Sequence, residues 1–160
     1  MTKELITEVG FQKFVDEFHH LLKVEKPFWI KEKEIAAAFG DRSENAEYIS
    51  AKEMLRNLDK RLRFLQKIID NSEVIDTNSL KHTHVNFGSE VVLLNLESYT
   101  EQKFVIVGTY ESNPTLNKIS NKSPLGRVLL GKKLNEEFEF IINKEHYEYK
   151  VTSVRKALLI

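Results

Sequence analysis

Seven residues, Tyr48, Ala51, Leu55, Leu58, Leu62, Leu65 and Ile69, recur at alternating spacings of three and four. This is an a/d seam sustained over three heptads. It restricts the segment to an α-helix whose apolar edge must be covered by another helix. The cover is at hand in the same chain: Phe14, Phe18, Leu21, Phe28, Ile35 and Phe39 form a looser seam, interrupted by Glu25 and Glu32. The two seams meet at a short polar break at Gly40, so the chain from about Phe11 to Ile69 reads as an antiparallel coiled-coil hairpin. An arm of this length spans about 40 Å at 1.5 Å rise per residue. Pro27 falls inside the first arm. It lacks a backbone donor and its ring crowds the preceding turn, so a kink or a loosened turn is expected there. Trp29, just beyond it, reads as an arm-packing residue.

From Val85 onward the period changes. Val91-Val92-Leu93-Leu94, Phe104-Val105-Ile106-Val107, Phe138-Glu139-Phe140-Ile141 and Tyr147-Glu148-Tyr149-Lys150-Val151 are short runs rich in β-branched and aromatic residues, and read as strands. Between them, Ser123 to Leu130 reads as a short helix with Ser123 as its N-cap, Pro124 at its first position and Gly131 ending it. The expected fold class is therefore α+β: a helical hairpin over residues 1–76, with its tip near 40–44, and a domain with a mainly antiparallel sheet over residues 77–160. The polar run Thr77 to His82 marks the boundary.

Composition narrows the partners. Lysine plus arginine and aspartate plus glutamate are equal at 24 each, so net charge gives no argument for nucleic acid or a membrane surface. Cysteine is absent, which removes disulfides and thiolate metal sites. No signal-like or membrane-length apolar run is present, so the expected compartment is the cytoplasm, with no membrane partner. His19, His20, His82 and His84 lack the spacing of a zinc set.

Chemistry concentrates at the hairpin tip, where Asp41 and Glu44 stand just before the second helical run. Asp-x-x-Glu there can form a capping box, and both charges suit the positive end of a helix dipole. Equally, two carboxylates on an exposed tip can hold Mg²⁺ through one or two oxygens, but they are too few for a complete site, so a partner would have to supply the rest. A second feature lies on the second arm. Lys52, Arg56, Lys60, Arg63 and Lys67 share one helical face, with Arg61 beside it. That face is either solvated and paired with Glu47, Glu53 and Asp59, or a guide for nucleic-acid phosphates.

Two stretches carry a family resemblance. Gly40-Asp41-Arg42-Ser43-Glu44-Asn45-Ala46-Glu47-Tyr48, continued by Ala51-Lys52, by Arg56 to Leu65 and by Val74-Ile75-Asp76, resembles the tip and second arm of the bacterial Gre transcript-cleavage factors. Ile119-Ser120-Asn121-Lys122-Ser123-Pro124-Leu125-Gly126-Arg127-Val128-Leu129-Leu130-Gly131-Lys132-Lys133 resembles the second hallmark of that family. The arginine after the tip aspartate and the basic second arm look more like the GreB branch than the GreA branch. Asn135-Glu136, where Gly-Asp is frequent, and Asn113-Pro114-Thr115-Leu116, in place of an acidic loop, depart from the pattern.

The resemblance implies an FKBP-like C-terminal domain and a function. Such a protein enters the secondary channel of bacterial RNA polymerase and stimulates cleavage of the nascent RNA 3′ segment in backtracked complexes. It is a cofactor of the polymerase with no nuclease activity of its own, and is expected to be a monomer. By match, Asp41 and Glu44 assist catalysis and share a Mg²⁺ with the polymerase. Asn45 and Tyr48 position the tip, and Lys52, Arg56, Lys60 and Arg63 guide the extruded RNA. Ser123, Pro124 and Leu125 are candidates for docking at the channel rim. Two other classes stay open: a secondary-channel inhibitor that lacks cleavage activity, and a prolyl isomerase suggested by the FKBP-like domain alone.

Overall fold

The computed structural model describes residues 3–40 and 45–159. By its contacts the chain divides into two compact units, one made of residues 11–71 and the other of residues 1–10 together with 72–160.

The first unit is the helical hairpin. Its first arm contains α1 (Glu8–His20), a five-residue π-helical turn (Leu21–Glu25) and α2 (Lys26–Ala37), and its second arm is α3 (Ala46–Asp70). The loosened turn expected from Pro27 is this π turn. An unbroken α-helix would set the Pro27 ring against the Lys23 carbonyl, and the wider turn relieves that conflict. Its signature is the Lys26 N–H bonding back five residues to the Leu21 carbonyl.

The extra residue has a consequence that heptad counting misses. Phe14, Phe18 and Leu21 are half-buried, as their spacing predicts. Beyond the turn every position is advanced by about 100°. Phe28, Ile35 and Phe39 are consequently 53%, 45% and 76% exposed, while Ala36 is only 3% exposed and Trp29 is half-buried. The distal seam of the first arm thus runs one residue later than its apolar pattern implies. On α3, Ala51, Leu58, Leu62, Leu65 and Ile68 are buried.

Among the described residues two ion pairs join the arms: Arg61 donates from Nε and Nη2 to Glu17 at 2.6 and 2.7 Å, and Lys26 meets Asp59 at 2.9 Å. The guanidinium hydrogen bonds favour ionised Glu17 and hold its carboxyl below the usual range, against a smaller opposing effect of partial burial. A depressed carboxyl stabilises the fold above its unfolded pKa and loses that contribution as pH falls through its folded value. Arg61→Gln should therefore lower hairpin stability at neutral pH, by no more than about 1 kcal/mol for so exposed a pair. Parent and variant should melt alike once the pH lies below the depressed Glu17 value, which thermal melts at a series of pH values would show.

The second unit holds a five-stranded sheet in the order β5-β4-β3-β7-β6, built from β3 (Ser89–Asn95), β4 (Glu101–Val107), β5 (Lys118–Ser120), β6 (Glu137–Ile142) and β7 (Glu145–Lys156). All pairings are antiparallel except β4 with β5. The four apolar runs read from the sequence all lie in these strands. Val91, Leu93, Ile106, Phe140, Tyr149 and Val151 form the core with Leu129 of α4 (Pro124–Leu129). At Asn135, where the resemblance has glycine, φ is +68°. Asparagine is among the few side chains that visit this region readily, so the exchange keeps the turn.

The division of the chain differs from a boundary at residue 76. β1 (Glu4–Thr7) and β2 (Ser72–Ile75) flank the hairpin in sequence, pair in parallel and pack Leu5 and Ile75 against the core of the second unit. Each strand is four residues long, too short for periodicity to reveal. β1 is secured by Glu111. Its Oε2 accepts from the Thr7 N–H at 2.9 Å and the Gly108 N–H at 2.8 Å, and its Oε1 accepts a short hydrogen bond from the Thr7 hydroxyl. That hydroxyl oxygen also accepts from the Gly10 N–H at 3.1 Å, which makes Thr7 the N-cap of α1. Gly108 allows the approach, since a Cβ there would lie 1.8 Å from the Leu5 carbonyl oxygen.

Candidate functional site

The tip is framed by two described residues, Gly40 and Asn45. Gly40 has φ +119°, a conformation that glycine adopts without strain and that turns the chain out of the first arm. Asn45 caps the second arm. Its Oδ1 accepts from the Tyr48 N–H at 3.1 Å, and its Nδ2 donates to the Ala36 carbonyl at 2.6 Å. One side chain therefore starts α3 and ties it to the last turns of α2. Asp41 and Glu44, the expected acidic pair, lie outside the described residues. The N-cap of α3 is Asn45 and its N3 residue is Tyr48. An asparagine directly before the helix supplies both an acceptor for the orphan amide and a donor for the facing carbonyl, a combination a carboxylate cannot match.

Tyr48 is half-buried, with the Lys33 ammonium 5.9 Å from its ring centroid. It thus packs against the first arm as well as taking the cap. Asn45→Ala should cost the hairpin about 1 kcal/mol. Asn45→Asp should keep the Tyr48 bond yet set a carboxylate against the Ala36 carbonyl. Amide exchange at Tyr48 should accelerate strongly in the first variant and less in the second.

Lys52, Arg56, Lys60, Arg63 and Lys67 are all exposed. Of the acidic neighbours read as their partners, Glu53 pairs with Arg56 at 3.0 Å, while Asp59 turns to Lys26. Lys52, Lys60, Arg63 and Lys67 make no ion pair with any other described residue, so described neighbours neutralise little of the stripe's charge.

In the second unit, Ser123 caps α4: its Oγ accepts from the Gly126 N–H at 3.1 Å and donates to the Ser120 carbonyl at 2.6 Å. Leu125 packs on the core and Pro124 is exposed. His82 places its ring nitrogens at 2.6 Å from the Ser89 hydroxyl and 3.2 Å from the Thr77 carbonyl, a structural use of the side chain. Among the described residues no group of three or more metal-ligating side chains is arranged to hold an ion, and no helix is long and apolar enough to cross a membrane. Of the π turn the sequence shows only that Pro27 must kink or loosen the arm, and the role of Glu111 was not legible at all. Glu111 reaches Thr7 across 104 residues, and no local pattern announces such a partner.

Comparison with known proteins agrees with this architecture. Residues 4–74 match the family described as "Transcription elongation factor, N-terminal", and residues 80–156 match "Transcription elongation factor, GreA/GreB, C-term". The chain is 41% identical to the transcription elongation factor GreA of a Nitratiruptor species, over 95% of this chain and 93% of that one. It is 42% identical to GreA of Helicobacter pylori, over 82% and 80%. Among solved structures it is similar to the GreA factor homolog 1 (Gfh1) protein of Thermus thermophilus, at 19% identity and a TM-score of 0.43, over 96% of this chain and 99% of that one. The expected lean toward the GreB branch is corrected by the Nitratiruptor and Helicobacter relatives, which are GreA proteins: one arginine in the tip and a basic arm face are too few positions to set the branch. Matched over both halves and at this identity, the chain belongs to the GreA/GreB family of transcription elongation factors.

Proposed function

We propose that this chain acts on backtracked bacterial RNA polymerase in the cytoplasm, as a monomer. Its hairpin enters the secondary channel, and its tip stimulates hydrolysis of the extruded RNA 3′ segment. What supports the reading is the family match, together with an Asn45 cap that starts α3 from a residue outside the acidic pair. By sequence the tip offers two carboxylates, too few for a complete site. That suits a Mg²⁺ whose remaining ligands belong to the polymerase. The ion supplies charge stabilisation at the attacking and leaving oxygens of the phosphodiester.

Each residue of the site then has a role. Asp41 and Glu44 contribute oxygen ligands and orient the attacking water. Asn45 and Tyr48 hold the end of the arm so that the pair is presented in one geometry. Lys52, Arg56, Lys60 and Arg63 attract the phosphates of the extruded RNA. The C-terminal unit anchors at the channel rim, with the exposed Pro124 a contact and Ser123 and Leu125 shaping the segment that presents it. The protein alone is not a nuclease.

The test is direct: the full chain is added to a defined backtracked elongation complex and the RNA length is followed. Shortened RNA with a restored 3′ end in the active site supports the reading. Blocked elongation without shortening would make the chain an inhibitor. Reversing the charges of Lys52, Arg56, Lys60 and Arg63 should slow cleavage most in deeply backtracked complexes, whose longer RNA reaches more of the arm, and the difference should shrink as salt is raised. Equal losses for short and long extruded RNAs, with binding intact, would count against a guiding stripe.

A further inference from the structure

The hairpin carries a second charged feature near its tip. A cleft of about 400 Å³ opens between α2 and α3, lined by Trp29, Glu32, Ala36, Glu47, Ser50 and Ala51. Its depth comes from the small side chains of Ala36 and Ala51, which bring the helices together without filling the space beside them. Its wall is the indole of Trp29, turned into the seam by the π turn and buttressed by Phe28, whose ring meets it edge-on at 5.1 Å. Its acidic members are Glu32 and Glu47, and neither makes an ion pair with any other described residue.

An indole with two carboxylates beside it is an environment that attracts a cation, and a guanidinium above all. At about 100° per residue, Glu47 and Ser50 lie on the flank of α3 away from Lys52, Arg56, Lys60 and Arg63. The arm is therefore two-sided, basic on one flank, acidic and aromatic on the other. Nucleic-acid phosphates are repelled from the second flank, which leaves a basic protein side chain as the complementary occupant.

We infer that this cleft is a socket for an arginine side chain of the polymerase's channel wall, gripping the arm while the opposite flank faces the RNA. The inference rests on the function proposed above and adds the chemistry of the partner surface. It is tested with the full chain competing against a labelled parent for core polymerase. Glu32→Gln combined with Glu47→Gln should weaken binding at least tenfold at low salt. The gap should close as salt is raised, and cleavage at saturating protein should stay at the parent level, because the cleft binds and does not react. Trp29→Leu keeps an apolar wall but removes most of the cation attraction, and should weaken binding severalfold. Unchanged binding in both variants overturns the socket.

Trp29 is the single tryptophan of the chain. A single-stranded RNA oligonucleotide that quenches its emission in the free protein would make the cleft a base-binding site and also overturn the assignment. The parent chain separates the two levels of the argument. If it neither binds polymerase nor shortens RNA, the functional reading fails and the socket with it. If it does both while the variants bind equally, the socket alone fails.

Discussion

Asp41→Asn and Glu44→Gln should fold as the parent does, compete for polymerase nearly as well, and lose on the order of 100-fold in cleavage rate at limiting Mg²⁺. The expected loss follows from the role. Removing one oxygen ligand from a metal that stabilises both oxygens of the reacting phosphodiester costs the transition state ~2.7 kcal/mol, and each 1.4 kcal/mol or so is a factor of ten. The expected retention of stability follows from Asn45. With the Tyr48 amide already satisfied by Asn45, removing charge from the acidic pair is expected to cost about 0.3–1 kcal/mol through the helix dipole. Raising Mg²⁺ should recover part of the lost rate, because a weakened site fills at higher concentration. Cleavage rates equal to the parent at limiting Mg²⁺, in both variants, would falsify the catalytic assignment.

The second large effect is expected far from the tip. Glu111→Ala should cost the second unit about 3 kcal/mol, because three donors lose their acceptor together: the Thr7 amide, the Thr7 hydroxyl and the Gly108 amide. Each unpaired donor at a partly buried position costs ~1 kcal/mol or more. β1 holds its place through this carboxylate and a four-residue parallel pairing with β2, so hydrogen exchange at Leu5, Ile6 and Thr7 should rise well before exchange in β3 or β7. Glu111→Gln keeps one acceptor oxygen where the two amides converge and should cost markedly less. If the alanine variant leaves exchange in β1 unchanged, the clasp is incidental.

The legible parts of this protein are those whose causes are local. The α3 seam, the four main strands and the Ser123-capped helix each follow from side-chain period or cap chemistry within a few residues. The tip stands out in the sequence because charged residues crowd a helix break, but the way α3 starts there does not. Asp41, Ser43 and Asn45 are all residue types suited to a cap, and the cap of α3 is Asn45, which also bonds the facing Ala36 carbonyl. The distal first arm misled for a different reason. Phe28, Ile35 and Phe39 carry the right spacing for a continuous helix, and a backbone event seven residues before Phe28 moves them to solvent. β1 and Glu111 were hidden because their partners lie on the other side of the hairpin in sequence.

That backbone event also says where this chain can change length. A π turn holds one residue more than the α turn it replaces, so Leu21–Glu25 stores a spare residue while the rest of the arm keeps its path. Removing Lys23 or Val24, with Pro27 replaced by alanine, would leave Trp29 and Ala36 pointing where they point now. The same deletion placed beyond Pro27 would swing Ala36, and the carbonyl that Asn45 grips, a quarter turn away. A one-residue deletion in the described first arm is therefore best absorbed at the π turn.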